Sequence, residues 1–275
     1  ITVGRFTEPQ YAELLVREGR TDLVAFGRQS LADPEMPKKA LEGRLEDMIP
    51  CIACLQGCVP SMYQGKPLCC LTNPFLGHES EQWKTAETSK KVMVIGGGVG
   101  CAIALPIAEE LHAAGCDVTA IIGFRSKDLL ILEDEFRAAS EKLVVMTDDG
   151  SYGRQGNVCV PLNEMFEAGE KFDEVITIGP LIMMKFVVAA TKPTGIPCTV
   201  SMNPIMIDGT GMCGGCRLTL HRDGERITKF ACVDGPDFNG YEVYFDEAMS
   251  RGAMYRDFER HAYEETCNLF RKEVK

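Results

Sequence analysis

From Lys91 to Asn203 the sequence alternates short apolar runs with longer amphipathic ones. Val92–Ile95, Asp117–Gly123, Leu143–Thr147, Glu174–Ile178 and Cys198–Asn203 are almost free of internal charge and too short for helices, so they read as buried strands. The stretches between them, Ala102–Ala114, Leu129–Ser140, Pro161–Ala168 and Leu181–Thr191, read as helices. This alternation predicts an α/β fold with a doubly wound parallel sheet over residues 91–203.

The flanks follow other patterns. Residues 1–50 read as strand, helix, strand, helix. Thr7 and Gln10 have capping-box spacing before a helix over Tyr11–Glu18, Gly19 stands at its C-cap position, and Asp22–Phe26 is a short strand. Two strands make no stable sheet of their own, so this piece must lean on something else. Residues 51–90 are rich in cysteine and turn residues and run into a polar linker, His78–Lys91, that holds the only tryptophan. Residues 204–275 break the rhythm with glycine and cysteine and close in a charged helix from about Phe245. Met249, Met254, Phe258, Tyr263 and Phe270 on that helix read as a packing stripe.

Composition narrows the function. With 275 residues, 45% of them hydrophobic, the chain has material for two packed domains. Its net charge of −11 repels nucleic-acid backbones and anionic lipid surfaces. The most apolar uncharged stretch, Val92–Ala108, contains four glycines and a proline, so it is a strand, a turn and a helix start rather than a membrane span. No secretory signal opens the chain, although Ile1 is not an initiator methionine. Thirteen cysteines, an odd number, argue against a disulfide framework and for metal ligation in a cytoplasmic protein. Cys101, Cys116, Cys159, Cys198 and Cys267 are scattered through apolar runs and read as small buried hydrophobes. His78, His112, His221 and His261 are isolated and read as surface or packing groups.

The strongest chemical signal is Asp208-Gly-Thr-Gly-Met-Cys213-Gly-Gly-Cys216, followed by Cys232. Glycines between the thiols let them approach one metal from a tight loop, and Cys232 lies a hairpin's length away. Asp208 stands five residues before Cys213, where plant-type [2Fe–2S] loops place their first cysteine, and a carboxylate is a hard ligand for ferric iron. A zinc knuckle is the alternative, with Asp208 or His221 as its fourth ligand. A second cluster, Cys51, Cys54, Cys58 and Cys70, has the spacing C-x2-C-x3-C-x11-C and suits a cubane, with a four-thiolate zinc site as its alternative. Cys69 is left free because Cys70 carries the Leu-Thr-Asn-Pro tail. Finally, Gly96, Gly97, Gly98 and Gly100 follow a strand and open a helix, where backbone N–H groups cradle a pyrophosphate. Cys101 replaces the expected third glycine, and Arg125 and Lys127 replace the acid expected after the second strand, which leaves NADH and NADPH both open.

Two resemblances accompany these motifs. Ile95–Gly100, Ile121–Asp128, Thr147–Gly153, Ile178–Pro180 with Met183-Met184, and Asp208–Pro236 resemble the small subunit of NADH-dependent ferredoxin:NADP oxidoreductase, sulfide dehydrogenase and the electron-transfer subunit of dihydroorotate dehydrogenase. The resemblance spans about residues 91–246. It implies a ferredoxin-reductase-like domain with NAD(P)H on the glycine loop and on Gly123, Arg125, Asp148, Asp149, Gly150, Gly179 and Pro180. It also implies a [2Fe–2S] cluster on Asp208, Cys213, Cys216 and Cys232, with FAD between the two. Residues 1–90 carry neither the Arg-x-Tyr-Ser/Thr motif nor the strands of the flavin barrel that precedes such a domain.

Those residues are instead similar to the end of an old-yellow-enzyme-type barrel of the 2,4-dienoyl-CoA reductase and trimethylamine dehydrogenase group. Val3-Gly-Arg5, Asp22–Arg28, Leu31–Pro34, Pro50–Cys58 and Cys70–Pro74 carry the likeness over about residues 1–80. It implies a partial barrel with Gly27 and Arg28 at the FMN phosphate and a [4Fe–4S] cluster on Cys51, Cys54, Cys58 and Cys70. With about two of eight strands present, an FMN site here is partial at best. Together these readings predict an electron-transfer oxidoreductase module that works with a partner subunit or a ferredoxin. The rivals are a fragment of an enoate reductase, a non-catalytic iron–sulfur subunit, and a mosaic of two genes.

Overall fold

The computed structural model describes residues 1–79 and 88–266, so Trp83, Phe270 and Cys267 lie outside the described residues. The chain divides into two compact units, Ile1–Lys84 and Thr85–Lys275.

The first unit contains β1 (Thr2–Val3), α1 (Pro9–Arg17), β2 (Val24–Ala25), α2 (Arg28–Ala32), α3 (Met36–Leu41) and α4 (Cys58–Tyr63). β1 and β2 form a two-stranded parallel sheet. α1 starts at Glu8 with Pro9 in its first turn and no side-chain cap, so the capping box read from Thr7 and Gln10 is not formed. Its end does follow the sequence. Gly19 takes φ +66, its N–H bonds to the Val16 carbonyl and that of Arg20 to Leu15, a left-handed glycine stop.

The second unit is built on β3 (Lys91–Gly97), α5 (Cys101–Ala113), β4 (Asp117–Phe124), α6 (Glu133–Ala138), β5 (Lys142–Thr147), β6 (Arg154–Gln155), α7 (Cys159–Glu167), β7 (Glu174–Ile178), α8 (Leu181–Thr191) and β8 (Cys198–Ser201). A hairpin of β9 (Arg217–Arg222) and β10 (Glu225–Phe230) follows, then α9 (Ala231–Asp234), β11 (Asp237–Asn239), α10 (Phe245–Gly252) and α11 (Arg256–Thr266). The main sheet runs β11-β8-β7-β3-β4-β5-β6. All five expected strands are present and mutually parallel, so the fold class is as the sequence predicts. The added edges are β6, two residues long, and β11, which is antiparallel to β8.

Alternation along the strands sorts the core into two layers. Met93, Ile95, Ile121 and Met146 face one side with residues of α7 and α8, whereas Val92, Val94, Ala120 and Ile122 face the other with residues of α5 and α6. Leu218 and Leu220 of the hairpin join the first layer. Two helical expectations need correction. The helix expected over Leu129–Ser140 is a short turn at Lys127–Leu129 followed by α6, because Leu132 adopts the left-handed conformation at φ +61. The terminal helix is broken in two, and two residues of its stripe are not packed: Met254 and Phe258 are 68% and 72% exposed, whereas Met249 is half-buried and the Tyr263 side chain lies outside the described residues. Among the described residues no helix is long and apolar enough to cross a membrane.

Phe136 is fully buried where α6 meets the sheet. Phe136→Ala should lower the stability of the second unit by about 3–5 kcal/mol, read by urea denaturation, and leave the first unit's transition in place.

Candidate functional site

Sheet order reverses at β3, between its neighbours β7 and β4, and a crevice lies beyond the C-terminal ends of the central strands. A cavity of about 610 Å³ occupies it. Gly97, Gly98 and Gly100 line it together with Gly179 and Pro180. A Cβ on Gly100 would lie 2.6 Å from the Ile178 carbonyl oxygen and 2.8 Å from the Gly179 Cα, so the two loops touch backbone to backbone. Gly98 has φ +55, which turns the chain into α5.

Gly123, Arg125 and Asp148 also line the cavity. Three other expected residues do not. Gly96 is buried inside β3, and a Cβ there would meet the Cys101 Sγ at 2.8 Å. The small residue that allows close helix packing is therefore on the strand, and the cysteine opposite fills the space. Burial pushes the Cys101 thiol up to about 12, so it stays protonated. Asp149 and Gly150 sit in the turn after β5, where the Asp149 carboxylate accepts the Ser151 N–H and hydroxyl. Lys127 stacks on the Tyr152 ring, 5.3 Å from its centroid, leaving Arg125 as the cation on the cavity wall. Sequence reasoning missed Asn157, Phe186 and Asn203 on this wall, for no motif marks them, whereas Met183, which carries part of the first resemblance, also lines it.

The hairpin carries the second feature. Arg217 pairs with Phe230, which places Cys216 and Cys232 side by side at its open end. Cys216 Sγ stands 3.2 Å from Cys232 Sγ, and the two share a hydrogen bond that raises the Cys232 thiol above its ordinary value. Cys213 is exposed on the preceding loop, its Sγ accepting the Gly215 N–H at 3.4 Å. Asp208 closes that loop: its carboxylate accepts the Thr210 N–H at 2.8 Å and the Cys213 N–H at 3.0 Å. These bonds, Thr210's first, hold the acid below the usual carboxylate range while it remains exposed. His221 pairs with Arg226, four residues along β9 from Arg217, and its ring packs on Tyr244 at 4.8 Å. At about 3.3 Å per strand residue it is far from Cys216, so the imidazole alternative is not supported.

In the first unit, Cys51, Cys54, Cys58, Cys69 and Cys70 line one small cavity. Ala53 at φ +56 and Leu55 at φ +61 turn the loop sharply on both sides of Cys54. Gly57 passes so close to Cys69 that a Cβ would lie 2.7 Å from its Sγ. Among the described residues no three His, Cys, Asp or Glu side chains converge on one point. The four expected cysteines nevertheless line the same space, and four thiols are the donor set that such a cluster takes.

Three buried polar residues that the sequence does not advertise fasten this loop to α2. Gln29 donates to the Ile49 carbonyl at 2.9 Å and accepts the Cys51 N–H at 2.8 Å. Burial of Asp33 works to raise its pKa, but the Ile49 N–H, Lys39 and the Glu35 N–H outweigh it and keep the carboxyl below its ordinary value. Asn73, in the Leu-Thr-Asn-Pro tail, donates to the Leu31 carbonyl at 2.8 Å. Gly27 and Arg28 line a neighbouring cavity of about 360 Å³, and Arg28 and Cys51 belong to both. Of the scattered cysteines, Cys198 is buried like Cys101, whereas Cys116 and Cys159 are half-buried.

Residues 203–244, which hold Asp208 and the three thiols, match the family described as the iron–sulfur cluster binding domain of dihydroorotate dehydrogenase B. Residues 1–47 match the NADH:flavin oxidoreductase / NADH oxidase family. A dihydroorotate dehydrogenase B (NAD(+)) electron transfer subunit homolog of Thermotoga maritima is 48% identical over 189 residues, covering 69% of this chain and 64% of that protein. The NADH oxidase of Thermoanaerobacter brockii is 45% identical over 116 residues, 41% of this chain and 18% of that enzyme. A solved structure of an NADH-dependent reduced ferredoxin-NADP oxidoreductase, reported for flavin-based electron bifurcation, shares 46% identity at a TM-score of 0.56 and covers 65% of this chain and 63% of its own. Both resemblances read from the sequence are borne out. The chain spans under two thirds of the length of these proteins.

Removing the Gln29 amide strands the Cys51 N–H and the Ile49 carbonyl next to the cysteine cavity. Gln29→Ala should cost the first unit about 1–3 kcal/mol and expose the loop after residue 49 to proteolysis, while the second unit keeps its resistance.

Proposed function

We propose that the chain is an iron–sulfur electron-transfer oxidoreductase module that passes electrons between NAD(P)H, a flavin and iron–sulfur clusters. The observation that carries this reading is the pair Cys216 and Cys232 held 3.2 Å apart beside the loop that Asp208 closes. In this reading Asp208, Cys213, Cys216 and Cys232 hold a [2Fe–2S] cluster, and Cys51, Cys54, Cys58 and Cys70 hold a [4Fe–4S] cluster, with Cys69 free. The clusters supply one-electron chemistry when bound. The loop Gly97–Gly100 presents backbone N–H groups to a pyrophosphate, helped by Gly96 behind it, which lets Cys101 bring α5 close. Gly123 leaves room that a side chain would take from the cavity, since its Cβ would lie 2.5 Å from Val158. Arg125 offers its charge to the adenosine end, and Asp148 contributes a carboxylate on the same wall.

The flavin is the term that this chain supplies least. Among the described residues neither unit contains a flavin β-barrel, and the cavity that Gly27 and Arg28 line is bordered by residues of two short strands only. We therefore assign FAD to a partner subunit and treat any FMN site here as partial. An electron-transfer partner or a ferredoxin completes the path, and the free cysteines favour a reducing compartment such as the cytoplasm. The match of residues 1–47 to the NADH:flavin oxidoreductase family favours, as a second reading, the remnant of an enoate reductase.

Two experiments test this. Asp208→Asn keeps an acceptor for the loop but removes the anionic ligand, so it should destabilise the [2Fe–2S] signal by about tenfold in chelator resistance, and Asp208→Cys should keep the cluster at an altered potential. An unchanged EPR spectrum and potential in Asp208→Asn would remove this residue from the ligand set. Purified anaerobically, the chain should contain flavin far below one per protein, and NAD(P)H should bind without rapidly bleaching the clusters, because hydride is not split into single electrons without a flavin. Stoichiometric FMN with alkene reduction would favour the enoate reductase instead.

A further inference from the structure

Among the described residues, Cys216 and Cys232 alone share a thiol–thiol hydrogen bond, with their Sγ atoms 3.2 Å apart. The backbone around them is fixed on both sides. β9 and β10 pair along their whole length, from Arg217 with Phe230 to Arg222 with Glu225. Just beyond that ladder the Ala231 N–H donates to the Cys216 carbonyl at 3.1 Å, and the Cys232 N–H donates to the Cys216 Sγ at 3.5 Å. Packing adds a second constraint, since Cys216 is 1% exposed in the core layer that the hairpin joins and Cys232 is half-buried against it. Sulfurs held this way stay together whether or not a metal joins them. A disulfide needs them at about 2.05 Å, roughly 1 Å closer, a change that small side-chain rotations supply. Cys213 differs, being exposed on the loop with its Sγ accepting the Gly215 N–H.

We propose that, when no metal is bound, the hairpin closes a Cys216–Cys232 disulfide by exchange with a low-molecular-weight disulfide such as oxidised glutathione, and that this bond blocks cluster assembly until a thiol reduces it. The bond is a property of the hairpin itself, whereas the block rests on the reading that Asp208, Cys213, Cys216 and Cys232 hold a [2Fe–2S] cluster. Burial sets the order of events. A reagent reaches the half-buried Cys232 and not the enclosed Cys216, so the Cys232 sulfur attacks one sulfur of the reagent and expels the first small thiol. Cys216 then attacks the Cys232 sulfur and expels the second. The two protein thiols give up two electrons and two protons, and both leave on the two small thiols. The bond takes two of the four ligands, and Asp208 with Cys213 is too small a set for two irons. It also shields both sulfurs from oxidation to sulfinic acid, which is irreversible for most thiols. In a reducing compartment a bond of this kind is transient, forming under oxidative load and clearing afterwards.

The test maps the bond in the full chain, freed of iron and reduced under argon. The chain is equilibrated with mixtures of reduced and oxidised glutathione, its free thiols are blocked, and its peptides are read by mass spectrometry. The Cys216–Cys232 link should form at about one tenth of the oxidised glutathione needed to join either residue to Cys213, since only this pair is already in contact. Cys216→Ala should instead trap glutathione on Cys232, and Cys213→Ser should link as the parent chain does. Links to Cys213, or glutathione held on Cys232 of the parent chain at equilibrium, overturn the bond. The maps of the parent chain and of Cys213→Ser decide this even where Cys216→Ala fails to fold. Assembly is then tried with ferrous iron and sulfide under argon, and the link is read again by mass afterwards. The linked chain should lack the visible circular dichroism of a [2Fe–2S] cluster, and dithiothreitol should restore it. A chain still linked by mass that holds this cluster overturns the block. A reduced chain that takes up no [2Fe–2S] cluster overturns the cluster reading and the block with it, while the mass map alone judges the bond.

Discussion

The second unit depends on the contact between two glycine-bearing loops at the switch in strand order. Gly100 and Gly179 lie so close that any side chain on Gly100 would strike the backbone of the opposite loop. The pairing of β3 with β7 runs to Gly96 and Ile178, and just beyond it the crevice is lined by glycine backbone. A wall of peptide N–H groups at the start of α5 has a fixed positive character that no rotamer change alters. The pairing of Gly96 with Cys101 belongs to the same constraint. Space for close strand–helix packing has to be left by one partner, and here the strand leaves it and the helix fills it with sulfur.

The first unit works by another principle. Its fully buried apolar residues are few, chiefly Ala12, Leu15, Ala32 and Met36, and its sheet has two short strands. Buried hydrogen bonds from Gln29, Asp33 and Asn73 do what a core does elsewhere, by fixing the two ends of the cysteine loop to one short helix. Polar fasteners of this kind are costly when broken, because each leaves desolvated partners behind. A unit held this way gains more from ligands that draw four thiolates together than one with a large core would.

The five central strands were legible because burial on both faces leaves uninterrupted apolar runs, a pattern that survives without tertiary information. The edge strands β6 and β11 were not, since two or three residues carry no period. Helix limits failed where a single residue decided them: Leu132 adopts a left-handed conformation that a leucine does not announce, and Glu8 with Pro9 displaced the capping box. In the sites, glycine and cysteine spacing located the loops, because those residue types are chosen for backbone freedom and for sulfur. Gln29 and Asn73 were invisible as fasteners, because a buried amide looks like any surface amide until its partners are known. The apolar stripe of the terminal helices misled for the complementary reason, as periodicity marks a face but not what covers it.

The two cysteine loops solve one problem in the same way. Each must turn sharply, with left-handed residues at Ala53 and Leu55 in one and at Gly209, Gly211 and Gly214 in the other, and such turns leave backbone N–H groups without partners in the chain's regular structure. If the thiols had to satisfy them, every sulfur would be committed to its own loop. Instead one polar side chain at each loop serves amides next to the thiols: Gln29 takes that of Cys51, and Asp208 takes those of Thr210 and Cys213. The sulfurs are thereby left with few or weak internal bonds, the contact between Cys216 and Cys232 being the closest. Asp208 differs from Gln29 in being charged and exposed, so it alone can turn from holding the loop to facing a metal without leaving a buried group unpaired.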